Sequence, residues 1–182
     1  WAWVGHGETN SELWTNLDLD TEVAKLDRII KDFETYTGTR PKGWLGPAFS
    51  ETSNTLGLLA ERGFQYSLDW CADDQPFPLK VAGHKVASVP YSPEINDISA
   101  FLLWNWTPDR FAKAIWDQFE CLLAEARAGK ARVMAVCLHP FLVNTPFRHG
   151  PLAGVLKKIR EYDEVWHANT DQIASHFIDN YY

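Results

Sequence analysis

The sequence predicts an α/β chain built around a parallel sheet or barrel, and three observations carry that prediction. Short apolar segments alternate with longer stretches of helical periodicity. Capping residues and glycines punctuate the helical stretches. No internal repeat or low-complexity linker interrupts the 182 residues. Apolar residues make up 46% of the chain and charged residues 23%, a balance that lets a domain of this length bury a core. The whole of 1–182 therefore reads as one domain.

In chain order, an apolar run ends at His6, and Asp20 is a candidate N-cap for a helix near 21–37. Val23, Leu26, Ile29, Ile30, Phe33 and Tyr36 give that helix one apolar stripe, ended by Gly38. A loop carries Arg40-Pro41-Lys42-Gly43-Trp44, and a helix near 52–62 is stopped by Gly63. Phe64 to Trp70 alternates as a strand, with Asp69, Asp73 and Asp74 at and past its C-terminal end. Leu79–Ala82 and Lys85–Val89 flank Gly83-His84 as a hairpin. Thr107 caps the next helix with Pro108 in its first position; Phe111, Ile115, Phe119, Leu122 and Ala126 line its buried face and Gly129 closes it. Arg132–Leu138 reads as a buried strand running into His139. A helix near 151–162, a short strand at Glu164–Ala168 and a Thr170-capped terminal helix complete the expected elements.

Charge and composition remove several functional classes. A net charge of −7 argues against a nucleic-acid surface, which needs clustered Lys and Arg. No apolar run is long enough to span a bilayer, and no signal-peptide pattern is present. Cys71, Cys121 and Cys137 are odd in number and lack CxxC spacing, which argues against a disulfide framework or a structural zinc site and for a reducing, cytoplasmic setting. Nine Trp suit either stacking on sugars and planar ligands or packing of core and rim.

In parallel α/β folds function gathers at the C-terminal ends of strands. His6, Arg40, the Asp69–Asp74 group and His139 all fall after expected strands or in adjoining loops. His6 lies between Gly5 and Gly7, and Asn10 follows four residues on, so the pair can form a two-ligand clip, or Asn10 can cap a turn. His139 can act as an acid near neutral pH or bond to backbone at a strand end. Asp73 and Asp74 are adjacent carboxylates whose repulsion makes one a base if both face a cleft; otherwise they are a solvated turn. Arg40 can grip a substrate carboxylate or ureide, or a neighbouring aspartate. Asp69 fits holding Arg40 or orienting His139. Trp44 and Trp70 can wall a binding groove or pack in the core, with core packing favoured for Trp70. His84, His149, His167 and His176 have no comparable context.

Taken together these segments resemble the polysaccharide deacetylase superfamily, especially its allantoinase-like branch. Gly5-His6-Gly7-Glu8-Thr9-Asn10 is similar to the family's histidine motif, in which two histidines four apart bind a metal. Thr39-Arg40-Pro41-Lys42-Gly43-Trp44 is similar to its Arg-Pro motif, which forms one wall of the groove. Tyr66 to Phe77, through Asp69-Trp70-Cys71-Ala72-Asp73-Asp74, is similar to the allantoinase-like form of the next motif. Leu138-His139-Pro140 is similar to the strand that ends in the catalytic-acid histidine, and Val89-Pro90-Tyr91 with Asn96-Asp97 also fits the allantoinase-like branch.

The resemblance implies a distorted (β/α) barrel of the polysaccharide deacetylase type, its N-terminal strands missing from this chain. It implies hydrolysis of a non-peptide amide C–N bond in a small ureide-like amide or an N-acetylated carbohydrate. His139 is then the general acid and Asp73 a further catalytic residue; Arg40, Trp44, Asn10 and Asp74 bind substrate, and His6 is the metal ligand. Asn10 stands where the second metal histidine belongs, and no aspartate-bearing strand precedes His6. A neutral amide oxygen is a poor zinc ligand, so the divalent metal (zinc) that the family suggests has a weak site here. The expected partners are that small-molecule amide or carbohydrate, no nucleic acid and no membrane, with a homo-oligomer or a missing N-terminal segment completing the barrel. The alternative is a non-catalytic carbohydrate-binding or assembly domain that kept the barrel and lost the catalytic aspartates.

Overall fold

Five short strands form one sheet in the order β1-β2-β3-β5-β4: β1 is Val4–Gly5, β2 Gly43–Trp44, β3 Tyr66–Ser67, β4 Phe77–Val81 and β5 His84–Ser88. The computed structural model describes all residues, 1–182. The chain divides into two units, Trp1–Val89 with Ala168–Tyr182, and Pro90–His167. The entire sheet belongs to the first unit.

β1, β2, β3 and β5 run parallel, with Val4 opposite Gly43, Gly43 opposite Tyr66 and Tyr66 opposite Ala87. Parallel neighbours need a crossover, and two helices provide it. The first is α1, Leu19–Thr37, between β1 and β2; the second is α2, Thr55–Glu61, between β2 and β3. β4 and β5 form the expected antiparallel hairpin around Gly83. The cap of α1 is Asp18 and not Asp20. Asp18 has the extended backbone an N-cap needs, and its carboxylate takes the Thr21 N–H at 2.9 Å and the Thr21 hydroxyl at 2.8 Å. The apolar stripe of α1 buries Leu26, Ile29 and Ile30 against Trp14, Trp44, Leu59 and Phe64.

Gly43 is required by a close approach: a Cβ there would lie 2.0 Å from the Tyr66 ring. That ring is fully buried, and its hydroxyl donates to Asp171 at 2.7 Å and meets the Thr170 hydroxyl at 2.6 Å. The bond ties α6, Thr170–Tyr181, to the sheet. Asn169, not Thr170, caps α6, because its side chain and Gln172 exchange hydrogen bonds with each other's backbone N–H in a capping box.

The second unit is helical. α3, Pro108–Arg127, starts as expected with the Thr107 hydroxyl accepting the Arg110 N–H at 3.2 Å. It packs on α5, Pro146–Ile159, through a core of Phe111, Ile115, Phe119, Leu152, Val155 and Ile159. α5 begins five residues before the expected Pro151, because Pro146 occupies its first position; Pro151 lies inside. A single short turn, α4, Pro140–Val143, precedes it.

Arg132–Leu138 is not the buried strand that its apolar run predicts. It is extended but half-buried, and it pairs at one point, the parallel bridge of Cys137 with Asn96. Apolar sequence supplies a strand's side chains; the ladder needs a neighbouring backbone, which here meets it only at that bridge. Glu164–Ala168 likewise forms no strand, and Val165 turns back on the Tyr162 carbonyl at 3.1 Å. No helix is long and apolar enough to cross a membrane.

Candidate active site

Because β1, β2 and β3 are parallel and in register, their C-terminal ends meet one edge of the sheet. His6 lies one residue past β1, and its Nδ1–H donates to the Leu45 carbonyl just past β2. A carbonyl only accepts, so the bond assigns the proton to Nδ1 and leaves Nε2 open. Asp69 lies two residues past β3. Its Oδ1 accepts the Gly46 N–H at 2.7 Å and its Oδ2 the Ser67 hydroxyl at 3.1 Å. Burial pushes the Asp69 carboxyl up to about 6, against the pull of those two hydrogen bonds.

The loop after β2 is strained. Ala48 and Phe49 both hold positive φ, 52° and 57°, a left-handed conformation that costs a non-glycine residue roughly 1–2 kcal/mol. At Gly46 a Cβ would lie 2.3 Å from the Ser50 carbonyl oxygen, so only glycine fits. The loop is held at its far end by the Trp14 N–H on the Ser50 hydroxyl at 2.9 Å. Glu51 follows, half-buried; burial first, then the charges of Asp69 and Glu22, push its carboxyl up to about 7. Glu22 is fully buried and takes the Thr52 hydroxyl at 2.7 Å together with that of Thr55.

In the second unit His139 and Asp97 form a tight pair. Asp97 is completely buried, its Oδ1 2.6 Å from His139 Nδ1, and its Oδ2 accepts the His139 backbone N–H, also at 2.6 Å. Bonding at both oxygens is what lets a carboxylate stay buried. It also fixes the imidazole: Nδ1 carries the proton toward Asp97, and Nε2 is the free atom of a ring left 23% exposed. Cys137, two residues earlier, is no nucleophile at neutral pH, since burial pushes its thiol up to about 11.

The other expected site residues fall differently. Trp44 is fully buried, 4.8 Å from the Trp14 ring and edge-on to Phe64, so it packs the core instead of walling a groove; Trp70, expected in the core, is 46% exposed. The difference follows from position, since Trp44 lies within the sheet and Trp70 beyond the end of β3. Arg40 pairs with Glu34 at 2.8 Å and bonds the Arg62 carbonyl at 3.2 Å, a link between α1 and the end of α2. It does not bind Asp69. Asn10 is exposed in the turn after His6, and Asp73 and Asp74 are exposed in the loop before β4. Asp97, not Asp69, orients His139. The sequence signal for Asp97 was a carboxylate set between isoleucines in Ile95-Asn96-Asp97-Ile98; Glu51 carried no local signal at all.

The donors present do not make up a metal centre. No three His, Cys, Asp or Glu side chains gather into a possible binding set. Nδ1 of His6 is taken by a carbonyl, and the residue four positions on, Asn10, offers a neutral amide.

No family model and no curated protein sequence matches the chain. Solved structures do. A Puue allantoinase aligns over 97% of this chain and 58% of its own at 26% identity, with a TM-score of 0.88. A protein of Pseudomonas aeruginosa PAO1 assigned to the polysaccharide deacetylases aligns over 99% of this chain and 60% of its own at 26% identity, TM-score 0.88. Another so assigned, from Mycobacterium smegmatis, gives 96% and 62% at 28% identity, TM-score 0.83. The chain thus spans about three fifths of the length of the structures it matches.

Proposed function

We propose, from the premise that the chain belongs to the polysaccharide deacetylase superfamily and stands with its allantoinase-like branch, that it hydrolyses a non-peptide amide C–N bond. The substrate class is a small ureide-like amide, with an N-acetylated carbohydrate as the second candidate. What supports the reading is the Asp97–His139 pair: a buried carboxylate holds one imidazole nitrogen and leaves the other exposed.

Amide hydrolysis adds water to the carbonyl carbon and breaks the C–N bond, and the departing nitrogen must take up a proton. His139 Nε2 supplies that proton. Asp97 keeps the ring in one tautomer and stabilises the imidazolium from which the proton leaves. The base role expected of Asp73 suits Asp69 and Glu51 better. Asp73 is exposed, whereas these two carboxyls are held near 6 and 7, close to the pH at which a base must work. No step is routed through a metal.

The test is turnover of allantoin and of N-acetylglucosamine oligomers by the purified chain. His139→Ala is expected to lower kcat by about 100-fold or more, the usual scale for loss of a general acid. Unchanged turnover in that variant removes His139 from the reaction. Saturable binding of either ligand without turnover supports the non-catalytic alternative.

A further inference from the structure

We propose that Phe141 is the specificity-determining wall beside His139, giving the site a preference for a planar cyclic ureide laid against its ring. The inference rests on the reading of His139 as the reacting acid. α4 is one turn long and sorts its side chains sharply: Leu142 and Val143 are buried, 5% and 8% exposed, while Phe141 is 68% exposed. The core therefore does not use the Phe141 ring. That ring stands edge-on to the His139 imidazole, centroids 5.9 Å apart and planes at 65°.

The placement is rigid. The His139 carbonyl accepts the Leu142 and Val143 N–H groups at 2.9 and 3.2 Å, closing the turn that carries Phe141. Asp97 holds the same histidine by ring and backbone. Pro140 occupies the first helical position, where its fixed φ pre-organises the turn. With Nδ1 committed to Asp97, anything that receives a proton must reach Nε2, next to the Phe141 ring. An uncharged planar ring can cover an exposed aromatic face there, whereas a charged chain would leave it wet.

The experiment measures hydantoin, a planar cyclic ureide, binding to the intact chain by calorimetry, with kcat and KM on allantoin read separately. Phe141→Ala is expected to weaken hydantoin about fivefold, the scale of one aromatic stacking contact. KM should rise alike, while kcat and melting temperature stay within twofold and about 2 °C. Phe141→Tyr should restore wild-type binding. Absence of hydantoin binding to the wild type, or equal binding by wild type and Phe141→Ala, overturns the proposal. Binding that depends on Phe141 without any turnover keeps it and discards the hydrolase reading instead; turnover with no Phe141 effect does the reverse.

Discussion

At the scale of single residues, the chemistry of this chain turns on which atoms are already occupied. His139 has one nitrogen on a buried carboxylate, and His6 has one on a backbone carbonyl, so each presents Nε2 alone. The two partners differ in kind: a carboxylate stabilises a protonated ring and a carbonyl does so only weakly. Asp97→Asn should therefore lower kcat by about 100-fold, by offering the ring a neutral partner and permitting the wrong tautomer. Steady-state assays read the loss, and retention of full activity would assign Asp97 a purely structural role. Asp97→Ala should in addition destabilise the fold by about 1–3 kcal/mol, because the His139 N–H groups lose their buried acceptor. Chemical denaturation measures that cost.

At the scale of elements, the strands are short and depend on close contacts. The crossing of β2 and β3 at Gly43 and Tyr66 leaves no room for a methyl group. Gly43→Ala should cost about 1–3 kcal/mol of stability, the range for overpacking, and a urea midpoint unchanged from wild type would show that the Tyr66 ring can move aside. α3 depends on its start: Thr107→Ala should cost about 1 kcal/mol, read by the same titration, since the Arg110 N–H loses its acceptor.

Elements of this kind were legible in the chain to the degree that their signals are local. The Thr107-Pro108 start, the Gly83 hairpin and the apolar stripe of α1 were all readable from spacing. Arg132–Leu138 was misread because its apolar residues say nothing about the backbone that must pair with it. Trp44 and Trp70 were assigned in reverse because side-chain type does not reveal where a strand ends.

At the scale of the whole molecule, the acidic balance should shape stability against pH. Glu51 and Asp69 keep their protons to about 7 and 6, above the value of about 4 for unfolded carboxylates. Between pH 4 and 7 the native state therefore binds more protons than the unfolded state, and the stability these groups contribute falls as pH rises through that window. Asp18, Glu125 and Glu164, held low chiefly by hydrogen bonds, act oppositely and lose their contribution only as pH falls below about 4. Glu51→Gln should flatten the decline between pH 5 and 8 and raise the melting temperature at pH 8. An unchanged slope in that variant would show that Glu51 ionises like an exposed carboxylate.

The sequence by itself determined the α/β class, most helix starts and stops, and His139 as the residue to watch, because caps, glycines, hydrophobic period and a histidine after an apolar run are written within a few neighbouring positions. Tertiary structure alone decided the partners. Asp97 and His139 are 42 residues apart, Gly46 and Asp69 are 23 apart, and Glu51 takes its high pKa from burial and from Asp69 and Glu22. A proton affinity or a tautomer is set by whatever lies within a few ångströms, and for these residues only folding brings those groups close.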